Sequence, residues 1–174
     1  RAQLLRHDPD ISIKDLRGNV DTRIRKMAAG DFDAIMLAEA GLTRLGIHIP
    51  GKRLPPEKFV PAPNQGTIAV VSRTDPSLME RLSHLDHSQS RTDVAVERAV
   101  MEQLGGGCFT PLGIYCHKGH LIAEVLSLDG TRTERIENEV KSIEQARELG
   151  KHLHERAKDL IDDAYKKLGI KHER

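Results

Sequence analysis

The sequence predicts an α/β domain followed by a small α+β domain with a three-stranded antiparallel sheet and helices. Three observations carry this. Between residues 11 and 46, short β-type runs alternate with helical turns, the order that accompanies parallel pairing. From 47 to 64 regular patterning stops and five of the eight prolines gather, as at a crossing between domains. After residue 87 the order becomes helix, three strand candidates and one long helix.

The elements follow in chain order. Residues 1–7 (RAQLLRH) read as the last turns of a helix, stopped before Pro9. Ile11, Ile13 and Asp15 alternate with Ser12, Lys14 and Leu16, which predicts a short strand over 11–16. Asp21 or Thr22 is positioned to cap a helix running through Met27, with Gly30 ending it in the left-handed conformation. DAIMLA, 33–38, is a near-continuous apolar run that suits a strand buried on both faces. Residues 40–45 read as one or two helical turns ending at Gly46. TIAVVS, 67–72, is a second strongly β run, and 76–85 suits a short helix.

Val94, Val96, Ala99, Val100 and Leu104 space a helix over 90–104, halted by Gly105, Gly106 and Gly107. Strands are expected at 112–117, 121–128 and 132–140, with Asp129-Gly130 as the turn between the last two. Ile143, Ala146, Leu149, Leu153, Ala157, Leu160, Ile161, Ala164 and Leu168 then form the apolar face of a closing helix.

Composition bounds the function. With 27 Lys+Arg against 26 Asp+Glu, the net charge of +1 argues against non-specific nucleic-acid binding. Aromatic residues make up 3% of the chain and Trp is absent, so the cores must be aliphatic. No apolar run approaches the roughly 18 residues that span a bilayer, so no membrane association is expected. Two cysteines, Cys108 and Cys116, are too few for a disulfide framework or a four-thiolate zinc site, and a reduced, cytoplasmic protein is the expectation. The chain opens at Arg1 inside a helical pattern, which reads as the C-terminal part of something longer.

Four constellations could carry chemistry. Arg1, Arg6, Arg17, Arg23, Arg25, Lys26 and Arg44 crowd the first 46 residues. Arginine forks pair bidentately with carboxylate or phosphate, and Arg17 and Arg23 flank a Gly-Asn turn where Asn19 adds an amide. A solvated helix face with ordinary surface pairs is the competing reading. Gly105-Gly106-Gly107-Cys108 presents a thiol on a loop free of steric limits, a nucleophile or covalent anchor, or else a small buried cysteine at a helix stop. Cys116-His117-Lys118-Gly119-His120 reads as a hairpin turn with exposed histidines, and no metal is assigned to it or to His84 and His87. Asn64-Gln65-Gly66 is either a plain turn or a hinge whose amides touch a ligand.

RGNVDTRIRKMAAGDFDAIMLAEAGLTRLG at 17–46, PAPNQGTIAVVSR at 61–73, ERA at 97–99 and GGGCFTPLG at 105–113 together resemble the porphobilinogen deaminase, or hydroxymethylbilane synthase, family. The resemblance implies three domains, the first two similar to type II periplasmic binding proteins. Residues 1–60 would be most of the second domain, 61–86 the returning segment of the first, and 87–174 the C-terminal α+β domain with the cofactor cysteine. The family joins four porphobilinogen units, with release of ammonia, into the linear tetrapyrrole hydroxymethylbilane. The product grows on a dipyrromethane cofactor, held through a thioether by the cysteine that Cys108 matches. A loop thiolate suits that role, because porphobilinogen that has lost ammonia is electrophilic at carbon.

By the same resemblance Arg17, Arg23, Asn19 and Gly107 bind the cofactor. Arg1, Arg17, Arg23 and Arg44 match arginines that bind the acetate and propionate groups of substrate and pyrrole oligomers, and Gln65 matches a polar substrate-binding position near the same cleft and hinge. The family's catalytic aspartate and a substrate-contacting lysine belong to an N-terminal part that nothing here matches. No catalytic residue is therefore assigned, and the chain alone is expected to be inactive unless that part is supplied, possibly as a separate chain. The complete protein is expected to be monomeric. Two positions depart from the family pattern: Asn64 stands where glycine is common, and Gly105 where an acidic or polar residue is common. A non-catalytic carboxylate-binding module using the arginine cleft is the alternative from another class.

Overall fold

A computed structural model describes residues 1–105 and 110–169. The chain forms two compact units, one of Arg1–Ile11 with Pro55–Arg174 and the other of Ser12–Leu54. The larger unit contains α1 (Ala2–His7), α4 (Pro76–Ser83), α5 (Ser88–Leu104), β1 (Leu112–His117), β2 (His120–Leu126), β3 (Thr133–Glu139) and α6 (Ile143–Leu168). The smaller contains α2 (Val20–Ala28) and α3 (Glu39–Leu45).

In the smaller unit the cap of α2 is Asn19, whose side chain accepts from the Thr22 N–H at 2.9 Å, in place of the expected Asp21 or Thr22. Asn19 has the extended backbone of an N-cap (φ −73°, ψ 174°), so the helix begins earlier than the acidic residue suggested. Gly30 does take the left-handed conformation (φ 85°), and Gly46 (φ 65°) ends α3 in the same way. The expected strands at 11–16, 33–38 and 67–72 are not formed among the described residues, and with them goes the expected parallel sheet. An apolar run becomes a strand only where a neighbour takes up its N–H and C=O groups, and no such ladder reaches these three. Ile68, Val70 and Val71 are 78%, 59% and 90% exposed accordingly.

The sheet that does form is the expected antiparallel one, in the order β1-β2-β3. Ala123 stands opposite Ile114 on one side and Ile136 on the other, so one face presents a continuous aliphatic layer. Against it pack Val96, Val100 and Leu104 of α5 and Leu153, Ala157 and Ile161 of α6. His154 Nδ1 meets the Leu104 carbonyl at 3.0 Å and satisfies one of the orphaned groups at the end of α5. The tight hairpin is at Lys118-Gly119 (φ 53° and 86°), whose twist matches that of the flanking strands. The β2–β3 connection, where Asp129-Gly130 was the turn signal, runs from Ser127 to Arg132 and is longer than the expected strand bounds left for it. There Asp129 Oδ1 accepts from Ser127 Oγ (2.6 Å) and from the Thr131 N–H (3.1 Å), which holds its carboxyl well below the usual range.

The second face of β2 is also buried: Ile122, Glu124 and Leu126 are at most 1% exposed. Its cover comes from the start of the chain and from the proline-rich stretch. Gln3 Nε2 donates to the Val60 carbonyl at 2.7 Å, and His7 stacks on Phe59 with ring centroids 4.5 Å apart. Gly113 admits Val60 so closely that a Cβ would lie 2.5 Å from its carbonyl oxygen. Arg6 Nη1 reaches Glu124 Oε2 at 2.9 Å, Arg135 Nη1 reaches the same oxygen at 3.3 Å, and Arg6 Nη2 donates to the Lys58 carbonyl at 3.1 Å. Among the described residues no helix is long and apolar enough to cross a membrane.

Two stability outcomes follow from this second face. Gly130 has φ 75°, and a Cβ there would lie 2.3 Å from the Ala2 carbonyl oxygen, so Gly130→Ala should cost about 2–4 kcal/mol in denaturant unfolding through left-handed strain and overpacking together. Arg6→Met leaves the fully buried Glu124 with Arg135 alone and should cost about 2–3 kcal/mol, whereas Arg6→Met with Glu124→Leu should recover most of that loss.

Candidate functional site

The strongest cationic feature of the smaller unit is the turn that enters α2. Gly18 (φ 123°) turns the chain, Asn19 caps the helix, and Arg23 folds back one turn later to donate from Nε to the Gly18 carbonyl at 2.8 Å. Lys26 Nζ approaches the Arg17 carbonyl at 3.4 Å. These bonds use one guanidinium nitrogen and one ammonium on backbone oxygens. Among the described residues no carboxylate forms an ion pair with Arg17, Arg23 or Arg44. The terminal nitrogens of Arg23 and the whole exposed fork of Arg17 are thus available for a bidentate anion. Arg44 lies in the last turn of α3. In the same unit Glu39, Leu42, Thr43, Gly46, His48 and Pro50 line a shallow groove of about 520 Å³.

Arg1 and Gln65 belong to the larger unit. Gln65 is exposed at the tip of a turn between Asn64 (φ 61°) and Gly66 (φ 81°), braced by a 3.1 Å bond from the Thr67 N–H to the Asn64 carbonyl. Asn64 thus takes the left-handed conformation that asparagine tolerates. Cys108 and Gly107 lie outside the described residues. The structure thus gathers Arg17, Asn19 and Arg23 at one turn, places Arg44 in the same unit, and leaves Arg1 and Gln65 in the other.

Cys116 is a different kind of cysteine. It is buried on β1, and burial, followed by the nearby Asp93 carboxylate, pushes its thiol up to about 12, far from the thiolate form that reacts. His117 is exposed beside the hairpin turn. His120 is held between two carboxylates, Nδ1 to Glu139 at 3.0 Å and Nε2 to Glu137 at 3.1 Å. No group of three or more potential metal ligands occurs among the described residues.

One buried group has no role in the sequence reading beyond its place in ERA. Glu97 is 7% exposed on α5; its Oε2 accepts from the Asn64 N–H at 2.6 Å and its Oε1 from the Cys116 N–H at 2.9 Å. The available signal was a glutamate on the face that also carries Val96 and Val100, where charge is not tolerated without partners.

Comparison with known proteins places the chain in a family. Residues 1–81 match the family model described as "Porphobilinogen deaminase, dipyromethane cofactor binding domain", and 92–159 match "Porphobilinogen deaminase, C-terminal domain". The chain is 47% identical over 177 residues to a probable porphobilinogen deaminase of Methanosarcina barkeri, covering 96% of this chain and 56% of the relative. A probable porphobilinogen deaminase of Methanococcoides burtonii is 45% identical over 174 residues, with 94% and 56% covered. The porphobilinogen deaminase of Rubrobacter xylanophilus is 48% identical over 114 residues, with 65% and 37% covered. The chain spans about half the length of the curated relatives it matches.

His120 gives a pH outcome. Its hydrogen bond to Glu139, and then that to Glu137, raise its pKa above 6.5. A raised value stabilises the fold at low pH and is lost as pH climbs through the folded value. Unfolding midpoints should therefore fall as pH rises upward from 6.5, and His120→Ala should flatten that slope.

Proposed function

Because the chain belongs to the porphobilinogen deaminase family, we propose that it is the cofactor-bearing part of a transferase that joins four porphobilinogen molecules into hydroxymethylbilane with release of ammonia. The observation that carries this reading is the pair Arg17 and Arg23, unpaired with protein carboxylates among the described residues and lying within the stretch matched by the dipyromethane-binding family model. Each pyrrole ring brings two carboxylates, so a growing chain needs several cationic forks and few competing acids. The donor set fits a dipyrromethane on the same ground.

In this reading Arg17, Arg23 and Asn19 hold the cofactor's side chains, and Cys108 with Gly107 supplies the thioether anchor and its loop. Arg1, Arg44 and Gln65 join the two arginines in binding substrate and pyrrole oligomers. Once attached, the dipyrromethane supplies the pyrrole end to which further units are joined. The guanidinium forks fix the carboxylates, so each added ring is oriented by charge and geometry before it reacts. Cys116, raised to about 12, stays protonated and does not compete with Cys108 for the cofactor.

The family's catalytic aspartate has no counterpart in these residues, so this stretch alone is inactive. Residues 61–86 would return to the first domain. The exposed Ile68, Val70 and Val71, with no strand partner for 67–72 among the described residues, support a docking of that run on the remaining part of the protein. Residues 1–60 would then be most of the second domain and 87–174 the C-terminal one, in a cytoplasmic enzyme.

Mass spectrometry tests the proposal. Co-expressed with the segment by which the curated relatives exceed it, the chain should carry two porphobilinogen-derived rings on the Cys108 peptide and turn over porphobilinogen. Cys108→Ser should lose both the added mass and the turnover. Turnover that survives in the serine variant would overturn the anchor. Arg17→Ala and Arg23→Ala should each lower kcat/KM by at least tenfold, about 1.4 kcal/mol, with Arg23 the larger effect because it is the less exposed.

A further inference from the structure

Glu97 makes a connection that neither its helix nor its sheet requires. It projects from the middle of α5, and its two carboxylate oxygens are taken by backbone N–H groups of two other segments. One belongs to Cys116 on β1, on the edge of that strand not paired with β2. The other belongs to Asn64, the left-handed residue that opens the Gln65 turn. The same edge also donates the Ile114 N–H to the Pro61 carbonyl at 2.9 Å. The stretch 61–64 is thus fastened to β1 at both ends, directly at Pro61 and through a side chain at Asn64.

The residue type is specific to this task. Two N–H donors converge on one side chain, and only a carboxylate offers two acceptors with no donor of its own. Glutamine has the same shape but would turn its NH2 group toward one of the two N–H groups and leave that donor unsatisfied. The carboxylate is costly to bury: desolvation pushes Glu97 up in pKa, against the two backbone bonds that pull it down. Asp93 lies one turn earlier on the same face, 8% exposed, and adds a further upward push. A buried acid that endures both burial and a neighbouring acid is held there by what it binds.

We propose that Glu97 is a positioning residue, a latch that ties the Asn64–Gly66 turn to the edge of β1 and so sets where Gln65 presents its amide. The functional half of this statement rests on the reading of Gln65 as a substrate contact; the latch itself does not.

Amide hydrogen exchange followed by NMR on the 174-residue chain separates the two. In the unaltered chain the Asn64 and Cys116 amides should both be protected and should open together. In Glu97→Gln, which preserves volume, at least one of them should exchange ten or more times faster, while the Val100, Leu153 and Ile161 amides keep their rates. An Asn64 amide that exchanges freely in the unaltered chain overturns the latch, and this holds even if the variant does not fold. Unchanged protection in Glu97→Gln, or equal loss across the core amides, overturns it as well. In the chain co-expressed with its complementing segment, Glu97→Gln and Gln65→Ala should both raise KM for porphobilinogen with a smaller change in kcat. An unchanged KM in Gln65→Ala overturns the substrate reading of Gln65 and the functional half with it, while the amide rates decide the latch independently.

Discussion

Strand β2 is buried on both of its faces, and much of the larger unit is arranged to satisfy that condition. A sheet of three strands with helices on one side ordinarily leaves its other side to water. Here Ile122, Glu124 and Leu126 face away from α5 and α6 and still lose their solvent, so other parts of the chain must cover them. Helix α1, only six residues long and without a side-chain cap, has little reason to exist alone. It is held by what it covers: Arg6 on Glu124, Gln3 on Val60, and Ala2 against Gly130. On this face, the glycines at 113 and 130 are where backbone approaches backbone too closely for a side chain.

The same condition explains what the sequence could and could not disclose. Helix α6 was legible because its apolar residues recur on one face for 26 positions, and the three strands because β-rich runs alternate with turn residues. Burial of the second sheet face was not legible, since it depends on residues far away in sequence, Val60 against Gly113 and Arg6, 118 positions away, on Glu124. The runs at 33–38 and 67–72 illustrate the opposite error. Their composition is that of strands, but composition states only a willingness to pair, and pairing needs a neighbour. The Asn19 cap was masked by Asp21 and Thr22, equally good capping residues two and three positions on.

The candidate site was legible in kind and partly in place. The Arg17–Arg23 turn follows from local chemistry, since a glycine, a capping asparagine and a helical repeat bring Arg23 back to the Gly18 carbonyl. Cys116 could not be told from a reactive cysteine by sequence alone; only its burial and the adjoining Asp93 make it inert. Glu97 shows the limit most clearly. Its two partners are 33 residues before it and 19 after, and neither is a side chain, so no pattern of residue types announces them. This glutamate lies within the stretch that matches the family's C-terminal domain, but its hydrogen bonds come from the fold.

The distance along the chain between Arg6 and Glu124 has a consequence in time. These partners are 118 residues apart, and ribosomes add about 5–20 residues per second, so α1 is made roughly 6–24 s before the surface it covers exists. Throughout that interval Arg6 lacks Glu124 and Ala2 lacks the Gly130 turn, and a six-residue helix does not persist in water without such partners. Helix α1 therefore becomes structured only after β2, synthesised far behind it, has emerged to be covered.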